Sequence, residues 1–221
     1  MSGEDLSIQE AFPAQEGMTQ GAAVTAADQI QVQNDAGGYD TFFLSNGKSA
    51  RGQDLPNVDP GDWVDAKATT VKATKKFAPG QAFWFIAKDV TKPFTVNVAG
   101  QVMADEYFDI EIAKKNQHIA CPYPVDLPIN NIVAVSGTTQ GAAVTSADQI
   151  QVQNEAGGYD TYFLSNGKSA RGQDLPNVDP GDWVDAKATT VKATGAIPVG
   201  KGAWFIRKGD ETATIRVNRP W

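Results

Sequence analysis

One stretch of 56 residues appears twice in this chain. Residues 19–74 recur at 139–194, offset by 120, and only Ala26/Ser146, Asp35/Glu155 and Phe42/Tyr162 differ. A repeat this faithful constrains the fold before any local pattern is read, because the same segment must find the same kind of partners in two places. Similarity continues more loosely outside it. Pro79–Ile86 answers Val199–Ile206 in register, Phe94–Val98 answers Ala213–Val217 after one loop residue is lost, and Asp5–Ile8 answers Asp126–Ile129 with a one-residue slip before Gly17/Gly137. Each module therefore spans about ninety residues, an ordinary size for a small domain.

Within a module the periodicity is that of strands. Asp28–Asn34 alternates, with Ile30 and Val32 on one face and three glutamines on the other. A turn at Asp35–Gly38 leads into Tyr39–Leu44, so 28–44 is predicted to be a β-hairpin, and Asn46-Gly47 is a second turn signal. Lys48–Gly61 is polar and broken by Pro56 and Pro60, a long surface loop. Short strands are expected at Asp62–Asp65 and Thr69–Ala73, and a briefer one around Leu6–Ile8. The unbroken apolar run Ala82–Ala87 suits a strand covered on both faces, which puts Trp84 in the core. Phe94, Val96 and Val98 alternate with polar residues as a closing half-buried strand.

The segment 100–124 occurs once. Phe108–Ile112 alternates, Lys114–Asn116 turns and Gln117–Cys121 is extended, which predicts a hairpin. The expected architecture is all-β: a tandem duplication of a β-sandwich-like or small-barrel module, at 1–100 and 125–221, joined by a β-hairpin linker at 101–124.

Charge and composition narrow the partners. A net charge of −7, with no Lys/Arg-rich run, argues against nucleic acid, which wants a basic face for its phosphates. No apolar run approaches the ~20 residues that cross a bilayer, so no membrane insertion is expected. The N-terminal Met-Ser-Gly-Glu-Asp has neither the basic nor the apolar part of a secretory signal, as in a virion component or a chain already processed. Cys121 is the only cysteine and excludes an internal disulfide.

Few residues carry chemistry. His118 and Cys121 lie three apart on one extended segment and so face opposite sides, a poor nucleophile–base pair. Zinc would want about four such ligands. The loop Asp54–Asp62, repeated at Asp174–Asp182, offers calcium candidates in Asp54, Asn57, Asp59 and Asp62 and in Asp174, Asn177, Asp179 and Asp182. Asx and proline also simply make turns, and both readings stand here. Tyr39 and Trp63, with Tyr159 and Trp183, flank turns and form either a sugar-stacking platform or packing. No Walker loop, GxSxG or HExxH occurs, so neither catalysis nor a cofactor is expected.

Gly38-Tyr39, Trp63, Pro79-Gly80-Gln-Ala-Phe-Trp84 and Val98-Ala-Gly-Gln-Val102 together resemble a repeat of uncharacterised bacterial surface and secreted proteins. The second module departs from it, with Val199-Gly200 in place of Pro-Gly and no closing Gly-x-Val. The resemblance implies location alone, at a cell surface or outside the cell. The expected role is a non-enzymatic structural protein that builds a homo-oligomer or filament on a cell or virion surface, joined by residues 1–10 or by the C-terminal strand ending at Trp221. The alternative is a carbohydrate-binding adhesin using the aromatic surface twice.

Overall fold

The structure is a computed structural model, and it describes residues 6–91, 94–98, 104–113 and 115–221. The chain divides into two compact units, Met1–Gln101 and Val102–Trp221. Both are built from strands. Among the described residues the longest helix is the single turn α1 (Ile8–Ala11), closed by a capping box in which Ser7 and Glu10 bond reciprocally.

Unit one contains β1 (Leu6–Ser7), β2 (Gln29–Gln33), β3 (Tyr39–Asn46), β4 (Pro60–Asp65), β5 (Ala68–Lys72), β6 (Lys76–Phe77) and β7 (Phe83–Ile86). Its main sheet runs β5-β4-β3-β2-β7, all antiparallel, and β1 pairs with β6. The β2–β3 hairpin forms where alternation and turn chemistry asked for it, with Gly37 at φ 82, a left-handed value that favours glycine. Ile30 and Val32 face a core shared with Phe42, Leu44 and Trp63. The sheet's other face buries Phe43 and Val64 against Val58, which pins the polar loop from beneath.

Unit two contains β8 (Tyr107–Ile112), β9 (Asn116–Ala120), β10 (Leu127–Pro128), β11 (Ile132–Ser136), β12 (Gln149–Gln153), β13 (Tyr159–Asn166), β14 (Pro180–Asp185), β15 (Ala188–Lys192), β16 (Ala196–Ile197), β17 (Gly202–Ile206) and β18 (Ala213–Asn218). The strands of the repeated stretch pair as their counterparts do, in the same register: Ile150 opposes Tyr162 as Ile30 opposes Phe42. Two sheets, β15-β14-β13-β12-β17-β9 and β11-β18-β8, contribute to one core that includes Ile150, Leu164, Trp183, Ile110 and Ile215. None of the sheets closes on itself, which removes the small-barrel alternative.

Three expectations are corrected. The segment predicted to be a linker hairpin is part of unit two. β8 and β9 do not pair with each other; β8 joins β18 in one sheet and β9 joins β17 in the other. The alternation in Phe108–Ile112 that suggested a hairpin arm reflects this burial, since Ile110 and Ile112 face the common core. The expected turn at Lys114–Asn116 includes Lys114, which lies outside the described residues.

Residues 94–98 form no strand, although their counterpart β18 does. β18 sits between β11 and β8. The unit-one counterpart of β11 carries Pro13 where β11 has Val133, and proline has no N–H for a ladder. The side chain of Gln15 stands in for the missing ladder: Nε2 donates to Asn97 O at 2.6 Å and Oε1 accepts from Asn97 N at 2.8 Å. The closing motif Ala99–Val102 lies outside the described residues.

Of the expected connectors, the C-terminal strand is already paired. β18 is the middle strand of its sheet, so the C-terminal strand has no open edge to offer. Residues 6–10 form β1, which pairs with β6 along one edge, and most of α1. Residues 1–5 lie outside the described residues.

Candidate functional site

The proline-broken loop ties its carboxylates to lysines instead of gathering them around a point. Asp54 lies 2.6 Å from Lys48 Nζ, and Lys72 Nζ lies 3.0 Å from Asp59 and 2.9 Å from Asp62. The second copy repeats this: Lys168–Asp174 at 2.7 Å, and Lys192 at 3.4 Å from Asp179 and 2.9 Å from Asp182. Asp62 also accepts the Asp59 backbone N–H at 2.6 Å, which closes the turn around Pro60. Asn57 and Asn177 point to no shared site and are exposed. Hydrogen bonding to Lys48 holds the Asp54 carboxyl below its ordinary range, as an ammonium partner does. Among the described residues no group of three or more His, Cys, Asp or Glu is placed to hold a metal ion. The carboxylates among the calcium candidates make turn and ion-pair contacts with lysines in both copies.

The aromatic pair separates. Trp63 and Trp183 are 0% and 1% exposed, and their indole N–H groups donate to Phe12 O and Ile132 O at 2.6 and 2.7 Å. Each ring meets a phenylalanine edge-on, Phe85 at 6.4 Å and Phe205 at 6.0 Å. A buried indole cannot stack on a sugar. Of the two readings left open by the sequence, packing holds for Trp63 and Trp183: each sits beside a turn, but its place in the strand aims it inward. Tyr39 is partly buried and Tyr159 is 41% exposed, each beside the turn of its hairpin. Trp84, expected in the core, is only partly buried.

His118 and Cys121 do not meet as a catalytic pair. The His118 ring lies on Trp204 with centroids 3.5 Å apart, and burial lowers its pKa from 6.5 to about 4. Burial pushes the Cys121 thiol up, away from the reactive thiolate, and its Sγ accepts the Tyr123 N–H at 3.4 Å. Arg207, 2% exposed, donates through Nη1 to Ile112 O at 3.2 Å, and its Nε and Nη2 have no hydrogen-bond partner among the described residues. That guanidinium holds the end of β8 in place and carries the expense of a buried charge.

A pair of carboxylates escaped sequence reasoning. Asp28 and Asp148 are both 0% exposed. Asp28 accepts Thr19 N at 2.9 Å and Lys88 N at 2.7 Å, while its own carbonyl takes Leu44 N at 3.0 Å. Asp148 does the same with Thr139, Lys208 and Leu164. Each clamps three segments at the end of its sheet. The signal for it was slight: an acid placed directly after Ala27, in a stretch otherwise bound for the core.

The recurrent exposed feature is thus a face. In both copies the same loop, hairpin tip and lysine–aspartate pairs stand outward in the same arrangement. No protein-family model, curated protein or solved structure matches the chain.

Proposed function

We propose that this chain is a non-enzymatic structural protein, a tandem duplication of one β-sandwich-like module that presents the same surface twice and assembles with copies of itself. The observation that carries this reading is the repetition of exposed contacts, which a fold does not require. Lys67–Asp40 at 2.9 Å returns as Lys187–Asp160 at 2.7 Å, on side chains that are largely solvated. Exposed ion pairs add little stability. Their identity in both copies fits a surface whose use lies in contact with something else, and two such surfaces on one chain supply avidity. The setting is a cell or virion surface, or a filament outside the cell. With Trp63 and Trp183 buried, the glycan-binding alternative keeps only the two tyrosines and is not favoured.

Sedimentation velocity from micromolar to millimolar chain, followed by electron microscopy of the heaviest fraction, tests the assembly. Growth of a regular oligomer or filament with concentration is expected. A monomer across the whole range overturns the reading.

A further inference from the structure

Unit two buries a cation that no acid beside it answers. Along β17 the side chains of Ala203 and Phe205 turn into the core, and the same alternation carries Arg207, one residue past the strand, to that side. Its backbone N–H donates to Lys115 O at 2.7 Å and its Nη1 to Ile112 O at 3.2 Å, so the guanidinium lies where the ends of β8 and β17 meet.

The two nitrogens left over are Nε and Nη2, both buried and without a hydrogen-bond partner among the described residues. Together they form one edge of the guanidinium, whose two parallel N–H bonds fit two oxygens of a carboxylate or phosphate. The same chain shows that edge in use. Arg216, which is partly exposed, sets Nε 2.7 Å from Asp109 Oδ1 and Nη2 2.9 Å from Asp109 Oδ2. Asp148, the buried carboxylate of unit two, accepts instead from the amides of Thr139 and Lys208. Lys115 and Lys208 are exposed, and neither is ion-paired among the described residues. A charge taken out of water needs a counter-charge, and leaving it bare is strongly unfavourable. Unit one avoids the difficulty, since Ala87 stands at the position matching Arg207.

We propose that the Nε–Nη2 edge of Arg207 is a binding site for a small free oxyanion, a phosphate or a carboxylate, gripped by both nitrogens, with Lys115 and Lys208 raising its local concentration. Burial sets the size: the site takes an ion of a few atoms and not a group carried on a polymer. Reaching the edge requires the contacts of Arg207 with Ile112 and Lys115 to part, so a bound ion holds them closed.

The test compares the full chain in chloride with the chain in roughly 10 mM phosphate or formate at the same ionic strength, by hydrogen exchange and by the NMR signal of the Arg207 Nε–H. Phosphate or formate is expected to slow exchange at residues 110–112 and 203–208 by about tenfold, as a site of millimolar affinity does, and to shift the Nε–H signal. Residues 83–88 of unit one should be unchanged. Arg207→Ala, which brings in unit one's residue, should abolish the slowing, and Arg207→Lys, which keeps the charge and loses the fork, should cut it to under about twofold. A response to only one of the two anions supports the proposal and names the class. Slowing of equal size in unit one, or in either variant, would assign the effect to general salt stabilisation and overturn it. So would a native chain whose exchange and Nε–H signal ignore both anions, a comparison that stands even if neither variant folds. None of these outcomes depends on whether the chain assembles.

Discussion

At His118 the fold takes a group that ordinarily titrates near 6.5 and holds it neutral down to about 4 by desolvation against Trp204. The unfolded chain then binds the proton that the folded chain refuses. This contribution is fully present above pH 6.5 and is lost as the pH drops from there towards 4, by on the order of 2 kcal/mol after discounting for solvent screening. The salt-bridged carboxylates Asp109 and Asp160 have lowered pKa values, so their contribution starts to be lost only as the pH approaches their ordinary 3.8, and most of the histidine window lies above it. Urea unfolding between pH 7 and 4.5 should show the loss, and His118→Gln should flatten it. An unchanged slope in the variant would assign the effect elsewhere. Tyr162 shows the same dependence of one residue on its setting. Its hydroxyl lies over Gly195, where any side chain would collide with it, whereas unit one pairs Phe42 with Lys75 at the matching positions. One of the three differences in the repeat is thus explained by a fourth outside it.

Elements are held together in this fold by carboxylates that no motif announces. Removing Asp28 would leave the amides of Thr19 and Lys88 without their charged acceptor in a buried place, and Asp148 holds Thr139 and Lys208 likewise. Each alanine substitution should cost about 2–4 kcal/mol, and Asn, which keeps one acceptor oxygen, clearly less. Denaturant unfolding of Asp28→Ala and Asp148→Ala measures it, and a loss under 1 kcal/mol would show that the clamp is ornamental. What was legible beforehand followed local rules. The β2–β3 and β12–β13 hairpins come straight from alternation and from turn glycines, because each strand's partner is its neighbour. The positions of β8 and β9 were not legible, since their partners β18 and β17 lie far along the chain, Ala213 opposite Ile112 and Trp204 opposite His118. Residues 94–98 have a strand's alternation and no ladder, because pattern records which face is apolar and not whether a partner is present. The sequence left Trp63 open between packing and exposure for a related reason, its neighbours in sequence being a loop and its neighbours in space a core.

Over the whole molecule the repeat acts as an internal control on long-range packing. β3 and β13 differ only at Phe42/Tyr162, sit in identical registers, and have the same unfolded-state exchange chemistry almost residue for residue. Any difference in how often they open must come from what surrounds them. Unit two adds Ile110, Ile112 and Ile119 to its core, each worth about 1.5–3 kcal/mol when fully buried, against the entropy of ordering the strands that carry them. Unit one compensates with bulk: Phe12, Phe77, Phe83 and Phe94 stand where unit two has Ile132, Ile197, Ala203 and Ala213. Those rings are partly solvated except for Phe12, so the compensation is incomplete. Unit two should therefore be the more stable, with the amides of β13 exchanging at least tenfold more slowly than those of β3, a difference of about 1.4 kcal/mol in opening free energy. Mass spectrometry can make the comparison within one sample, because the Phe42/Tyr162 difference separates the two peptides by mass. Equal rates would mean that four phenylalanines replace two strands in full; slower exchange in β3 would mean that the cover supplied by β8 and β9 contributes nothing to the sheet beneath it.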